Sequence, residues 1–169
     1  MKYANGLLFS QDMQTVAVIN KNRPAYLAGK LSPAGGHVEL GESPANAMSR
    51  EYEEEAGVWI AVEDWRPLAV TKTRDQGALL ATFFALSDLV HESETKTEET
   101  VIVMKTADLV LQCLQHPNSV ADDLLIFIAL AKKTQTMPQP VAAFDDFSAI
   151  DEQTENEMFM KTKKTMAKP

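Results

Sequence analysis

The sequence predicts an α+β fold built on a mixed β-sheet. Apolar and β-branched runs of strand length lie on both sides of one helix that has clear start and stop signals. Two runs with helical spacing follow the last expected strand. The expected element order is therefore β-β-α-β-β-β-α-α, in a chain whose 169 residues fit one domain.

The first two strands are expected to pair as a hairpin. Residues 3–9 mix apolar and small side chains, and residues 15–19 are a β-branched run, with a turn at Gln11-Asp12 between them. Residues 21–36 contain repeated prolines and glycines. That segment is therefore expected to be mostly loop.

The central helix has recognisable ends. Ser43 is a good N-cap residue, and Pro44 suits the first helical position. The helix is expected to continue to about Ala56, with Gly57 as its C-terminal stop.

The second half of the domain is expected to hold three strands and two helices. The strands are residues 68–73, 79–86 and 101–104. The first two form a hairpin across residues 74–77, and a polar, acidic loop at 91–99 precedes the third. The helices are residues 107–115 and 119–133, and Asn118 is a candidate cap for the second.

The composition changes after Lys133. We expect one domain over residues 1–133 and a C-terminal tail over residues 134–169, partly disordered or docked on the body or on a partner. Four apolar tail residues could make such a contact. They are Phe144, Phe147, Ile150 and Phe159.

The net charge and the cysteine content limit the expected binding partners and cellular compartment. A net charge of −8 argues against broad attraction to nucleic acid or to anionic membranes. No apolar run reaches the roughly 18 residues of a membrane span. The lone Cys113 favours a reducing compartment, and the start of the chain does not resemble a signal peptide. A cytoplasmic protein is expected.

The central helix carries carboxylates on one face. Glu51, Glu54 and Glu55 lie at i, i+3 and i+4, while Glu53 points elsewhere. A second stripe is the expected core contact. It consists of Ala45, Met48, Tyr52 and Ala56. The three-glutamate face is either a solvated acidic surface or a site for a hard cation such as Mg²⁺, which favours oxygen ligands.

The residues before this helix favour a binding site. Gly35-Gly36 allows the backbone to approach a ligand closely. Glu42 lies near the helix start and Arg50 directly precedes Glu51, so an Arg–carboxylate pair could orient the loop against the helix.

Residues 36–58 resemble the Nudix box. The box is a glycine, five residues, a glutamate, seven residues, Arg-Glu, an apolar residue, any residue, Glu-Glu, any residue, a glycine and an apolar residue. Gly36, Glu42, Arg50, Glu51, Glu54, Glu55, Gly57 and Val58 fill its conserved positions without a gap. Tyr52 stands where an aliphatic residue is more usual, and we interpret it as a bulky core residue with its hydroxyl at the edge.

The resemblance implies a Nudix-type α/β/α sandwich over about residues 1–133. It also implies a hydrolase in which water attacks phosphorus and a pyrophosphate bond breaks, with Mg²⁺ as the cofactor and Mn²⁺ as its substitute. Glu51, Glu54, Glu55 and the Gly35 carbonyl resemble the metal ligands, and Glu42 and Arg50 the orienting pair. Glu98, in the acidic loop, is the preferred extra ligand or base.

The resemblance also suggests the substrate. The lead-in at residues 29–36 is similar to that of nucleoside triphosphate-cleaving members, so a nucleoside triphosphate or another small nucleotide is expected. Gly35, Gly36, Ser32 and His37 are the candidate substrate contacts.

Two other functions stay open. One is a Nudix-fold module that binds a nucleotide without turning it over. The other is RNA-end processing, which needs a basic groove that only the tail residues 161–164 offer. A homodimer is expected by resemblance alone.

Overall fold

The computed structural model describes residues 2–72 and 78–135. These residues form seven β-strands: β1 (Lys2–Phe9), β2 (Thr15–Asn20), β3 (Leu31–Ser32), β4 (Ala34–His37), β5 (Arg66–Lys72), β6 (Leu79–Leu86) and β7 (Thr100–Lys105). The α-helices are α1 (Pro44–Ala56), α2 (Thr106–Gln115) and α3 (Leu124–Gln135). Short 3₁₀ helices occupy Val62–Asp64, Asp88–Glu92 and Pro117–Ser119.

The strands form one mixed sheet with β1 at its centre. The main order is β3-β2-β1-β6-β5, with β7 paired to β2 and β4 paired to β1. β1 runs parallel to β6 and antiparallel to β2 and β4, and β5 and β6 pair antiparallel. This arrangement confirms the predicted α+β fold with a mixed sheet.

Helices cover both faces of the sheet and enclose two apolar cores. On one face α1 contributes Ala47, Met48, Tyr52 and Ala56 to the first core. On the other face α2 and α3 supply the second core with Leu109, Cys113, Leu124, Phe127 and Ile128. The expected α/β/α sandwich is therefore confirmed, and the buried Cys113 packs as a small apolar residue.

The ends of α1 match the sequence signals. Ser43 Oγ accepts a hydrogen bond from Asn46 N at 3.2 Å, and Pro44 is the first helical residue. Gly57 ends the helix with φ 71°, a left-handed conformation that suits glycine. Burial of the predicted apolar stripe against the sheet sets the rotation of α1 and places the glutamates beside β4.

Tyr52 is buried completely, as the interpretation of its place in the box requires. Its ring lies 5.6 Å from that of Trp65, and its hydroxyl pairs with Ser93 Oγ at 2.8 Å. Burial raises the pKa of Tyr52 well above its usual range. The aromatic substitution is thus accommodated in the first core.

The expectation that residues 21–36 are mostly loop is wrong for its second half. β3 pairs with the end of β2, and β4 pairs with β1 from Tyr3 to Gly6. Pro33 separates the two short strands. The glycines and the proline in this segment are typical of loops and do not predict strands. β3 and β4 form because they pair with strands that are distant in the sequence.

The last helix begins later than predicted. Residues 119–123 are not part of it, because Val120 forms a bridge with Leu31 and Ala121 N donates to the Leu31 carbonyl at 2.8 Å. Asn118 lies in the preceding 3₁₀ helix and does not cap α3. Pairing with β3 therefore overrides the helical spacing of this segment.

The predicted turn at 74–77 and nearly all of the predicted tail, residues 136–169, lie outside the described residues. Among the helices that the structure describes, none combines the length and the apolar character that crossing a bilayer requires.

Candidate active site

The site is built where β4 passes the glutamate face of α1. Antiparallel pairing with β1 sets Gly35 opposite Asn5 and Gly36 opposite Ala4. Gly35 has φ 143°, and a Cβ there would overlap the carbonyl oxygen of Ala4. Glycine is therefore required at this position for the pairing itself.

Two box glutamates contact this glycine pair. Glu55 Oε2 accepts a hydrogen bond from Gly35 N at 2.9 Å. Glu51 lies directly against Gly36, where an added Cβ would overlap its carboxylate. The absence of side chains on both glycines lets two carboxylates approach one stretch of backbone.

Arg50 gathers the acidic side chains around it. Its Nε and Nη2 bind the two oxygens of Glu42 at 3.1 and 3.0 Å. Its Nη1 contacts Glu51 Oε1 at 2.8 Å and Glu54 Oε2 at 3.3 Å, and Nη2 also donates to the His37 carbonyl at 2.9 Å. The guanidinium thus joins the end of β4, the loop that carries Glu42 and the face of α1.

These contacts change the proton affinities of the pair. Hydrogen bonds to Glu42, and after them those to Glu51, raise the pKa of Arg50 far above its ordinary value. The hydrogen bond from Arg50 lowers the pKa of the Glu42 carboxyl. Both groups are therefore charged at neutral pH.

A second ionic cluster lies on the other side of Glu55. Lys21 Nζ donates to Glu55 Oε1 at 2.6 Å and to Glu99 Oε2 at 2.9 Å. Lys21 and Glu55 are each 8% exposed. Neither Lys21 nor Glu99 is among the site residues that the sequence predicts.

Strand alternation was the signal that could have found them. Ala17 and Ile19 of β2 face α1, and Lys21 continues that alternation. On β7 Val101 faces the same core, and Glu99 lies two residues before it, where its carboxylate reaches Lys21. In the β2–β7 register the last pair is Asn20 with Thr100, and Lys21 and Glu99 are the next residue along each chain.

Burial and pairing act in opposite directions in this cluster. Burial raises the pKa of Glu55 and outweighs the effect of Lys21 on it. Burial lowers the pKa of Lys21, but Glu55 and Glu99 outweigh that effect, and its pKa is raised. Burial also acts against ionisation of Glu99, yet hydrogen bonds from Lys21 and from backbone N–H groups give it a lowered pKa.

The remaining predicted site residues differ in exposure. The Glu54 side chain is 57% exposed, and Glu53 is also exposed. His37 is exposed and its ring lies 4.3 Å from that of Tyr3, whereas Ser32 is 5% exposed within β3. Glu98 has an exposed side chain, and its backbone carbonyl accepts from Asn22 Nδ2 at 2.9 Å.

The donor set suits a hard divalent cation. The carboxylates of Glu51 and Glu55 both contact the Gly35–Gly36 backbone, which carries no side chains. Glu54 and Glu51 both accept hydrogen bonds from Arg50, and carboxylate oxygens are the ligands that such a cation prefers. Across residues 2–72 and 78–135, no three His, Cys, Asp or Glu side chains converge in a ready-made metal site. The carboxylates of Glu51 and Glu54 pair with Arg50, and that of Glu55 pairs with Lys21.

Comparison with known proteins adds a family and a fold. The NUDIX domain model matches residues 3–124. A MutT/nudix family protein from Enterococcus faecalis aligns with 18% identity over 62% of this chain and 43% of its own, with a TM-score of 0.51. DR0079 from Deinococcus radiodurans aligns with 19% identity over 76% of this chain and 80% of its own, with a TM-score of 0.58.

Identities this low show a shared fold alone. This chain spans less than half of the Enterococcus faecalis protein. No curated protein matches the sequence significantly.

Proposed function

The chain belongs to the Nudix family of hydrolases, which cleave nucleoside diphosphates linked to another moiety, and we propose that it is a Mg²⁺-dependent pyrophosphohydrolase. The proposed substrate is a nucleoside triphosphate or another small nucleotide. The net charge of −8 supports a small substrate over nucleic acid, and the lone Cys113 supports a cytoplasmic enzyme.

One observation carries the proposal. Every acidic position of the Nudix box is filled, Arg50 binds Glu42, Glu51 and Glu54, and the glycine pair contacts Glu51 and Glu55. Like charges on one helix face repel each other. Such a cluster is stabilised when cations neutralise it, and the ion pairs that Arg50 and Lys21 make with these carboxylates support a role in binding positive charge.

We assign the metal to Glu51, Glu54, Glu55 and the Gly35 carbonyl. A bound Mg²⁺ would neutralise phosphate charge and acidify the attacking water. Glu42 and Arg50 hold the loop against the helix and so keep the carboxylates near Gly35 and Gly36. Glu98 remains the proposed further ligand or base from the acidic loop.

Substrate contacts are proposed at the end of β4. Phosphoryl transfer depends mainly on positioning and on neutralising charge, so backbone groups of Gly35 and Gly36 suit a pyrophosphate. His37 is exposed beside them, whereas Ser32 is nearly closed off within β3. Of these two side chains, His37 is therefore the better placed for a phosphate.

A nucleotide panel tests the proposal. The protein is incubated with Mg²⁺ and ordinary or oxidised nucleoside triphosphates, ADP-ribose, NADH, dinucleoside polyphosphates and nucleotide sugars, and the released products are identified. Cleavage of one class at a pyrophosphate bond supports the proposal and names the leaving group. If nothing is cleaved while a panel member raises the melting temperature, the chain is a nucleotide-binding module instead.

A further inference from the structure

Lys21 bridges two carboxylates that belong to different parts of the fold. Glu55 lies on α1, and Glu99 lies in the loop before β7. Lys21 reaches both at 2.6 and 2.9 Å from a position directly after β2. Because its ammonium is nearly closed off from solvent, it depends on these carboxylates for neutralisation.

Each carboxylate is also held by other donors. Glu55 Oε2 accepts from Gly35 N at 2.9 Å, which leaves Oε1 for Lys21. Glu99 Oε1 accepts from the backbone N–H groups of Asn22 and Arg23 at 2.8 and 3.3 Å, which leaves Oε2 for Lys21. Glu99 is therefore fixed to the same backbone segment as Lys21 and does not rely on α1.

The proposed metal creates a conflict at Glu55. Lys21 and a divalent cation both place positive charge on the same carboxylate, and like charges repel in a buried setting more strongly than in water. A buried ammonium that lost every carboxylate would be strongly destabilised. Lys21 therefore needs a second acceptor if Glu55 is to serve a cation.

We propose that Glu99 is that acceptor, and that Glu99 and Lys21 are positioning residues for the metal site. Glu99 retains Lys21 through Oε2 when Glu55 gives its oxygen to a divalent cation. The inference rests on the proposed function, because it takes Glu55 as a metal ligand. A purely structural bridge would hold α1 and the loop before β7 together without affecting the affinity of Glu55 for a cation.

Mn²⁺ affinity of the full chain separates the positioning role from a purely structural one. Electron paramagnetic resonance of the free ion measures that affinity. Glu99→Gln leaves Lys21 with Glu55 as its one charged acceptor in the cluster, so Mn²⁺ affinity should fall on the order of tenfold. Glu92→Gln removes one charge from an exposed position near the same loop and should change the affinity by less than about twofold. Unchanged Mn²⁺ affinity in folded Glu99→Gln overturns the inference.

A double-mutant cycle gives the sharper test. Lys21→Met removes the competing charge, so its Mn²⁺ affinity should equal or exceed that of the unaltered protein. Adding Glu99→Gln to Lys21→Met should then change affinity by less than about twofold. A tenfold loss that persists without Lys21 would show that Glu99 acts directly, against the proposal. Lys21→Gln, which keeps hydrogen-bond donors, takes the place of Lys21→Met if the latter does not fold.

Glu54→Gln in the same assay separates this inference from the proposed function. If Glu54→Gln binds Mn²⁺ as the unaltered protein does, the metal site itself is misassigned. If Glu54→Gln loses Mn²⁺ while Glu99→Gln keeps it, the site stands and the role given to Lys21 and Glu99 is wrong.

Discussion

Arg50 holds both oxygens of Glu42, with Nε and Nη2 at 3.1 and 3.0 Å. This two-point contact fixes the plane of the guanidinium, so its remaining nitrogen faces Glu51 and Glu54. The pair thus links the orientation of the loop before α1 to the orientation of the acidic face.

Replacing Glu42 with Gln should therefore affect both stability and activity. A charge-assisted pair of this kind contributes about 1–2 kcal/mol after allowance for partial exposure. Turnover should fall roughly tenfold, because the loop and the carboxylates lose their common anchor. Chemical denaturation and steady-state kinetics measure the two effects, and an unchanged kcat would show that the loop is held by other contacts.

The same pair predicts a pH dependence of stability. Arg50 lowers the pKa of Glu42 in the folded protein below its ordinary value of 4.5. The stabilisation is therefore fully present above pH 4.5 and is lost as the pH falls through the lower folded pKa. Unfolding free energies across this acidic range should converge for Glu42→Gln and the unaltered protein, and a constant gap would contradict the prediction.

The two glycines before His37 should respond differently to alanine. Gly35 has φ 143°, and a Cβ there would overlap the backbone of β1. Gly35→Ala should therefore lower the free energy of unfolding by at least about 3 kcal/mol. A Cβ on Gly36 would meet the end of the Glu51 side chain, which can move. Gly36→Ala should therefore stay folded and lose Mn²⁺ binding.

Melting temperature and Mn²⁺ affinity, measured on both alanine variants, check this contrast. A Gly36→Ala protein with unaltered Mn²⁺ affinity would remove the support that this glycine gives to the metal site.

Tyr52 should be replaceable without loss of activity. Tyr52→Phe keeps the ring against Trp65 and removes the hydrogen bond to Ser93, which should cost about 1 kcal/mol of stability. Turnover should stay within about twofold, because the hydroxyl bonds to Ser93 and to none of the proposed ligands. A large fall in kcat with little change in melting temperature would instead assign Tyr52 to the reaction.

Local patterns predicted α1 and most of the sheet. Caps at Ser43 and Gly57, and the stripe that includes Met48 and Tyr52, act within a few residues of each other, so sequence alone identifies them. β3 and β4 were missed because their pairing depends on strands distant in sequence. The start of α3 was misplaced for the same reason, since Ala121 bonds to Leu31.

In the candidate site, too, contacts between residues close in sequence could be predicted and contacts between distant residues could not. The box residues are close in sequence, and their spacing on a helix places the three carboxylates together. Lys21 is 34 residues from Glu55 and 78 from Glu99, so no local motif joins the three residues. Alternation along β2 and β7 would have shown that Lys21 and Glu99 point toward α1.

The glutamate face of α1 is proposed to hold the metal that drives hydrolysis. The most direct measurement compares kcat of Glu54→Gln and Glu53→Gln with the unaltered protein at limiting Mg²⁺, on the substrate that the nucleotide panel identifies. Each variant removes one exposed carboxylate from the same helix, and they differ in the face that loses it. Glu54→Gln should lose at least about 100-fold while Glu53→Gln stays within about twofold. Near-native turnover in Glu54→Gln, or equal losses in both variants, would contradict the account.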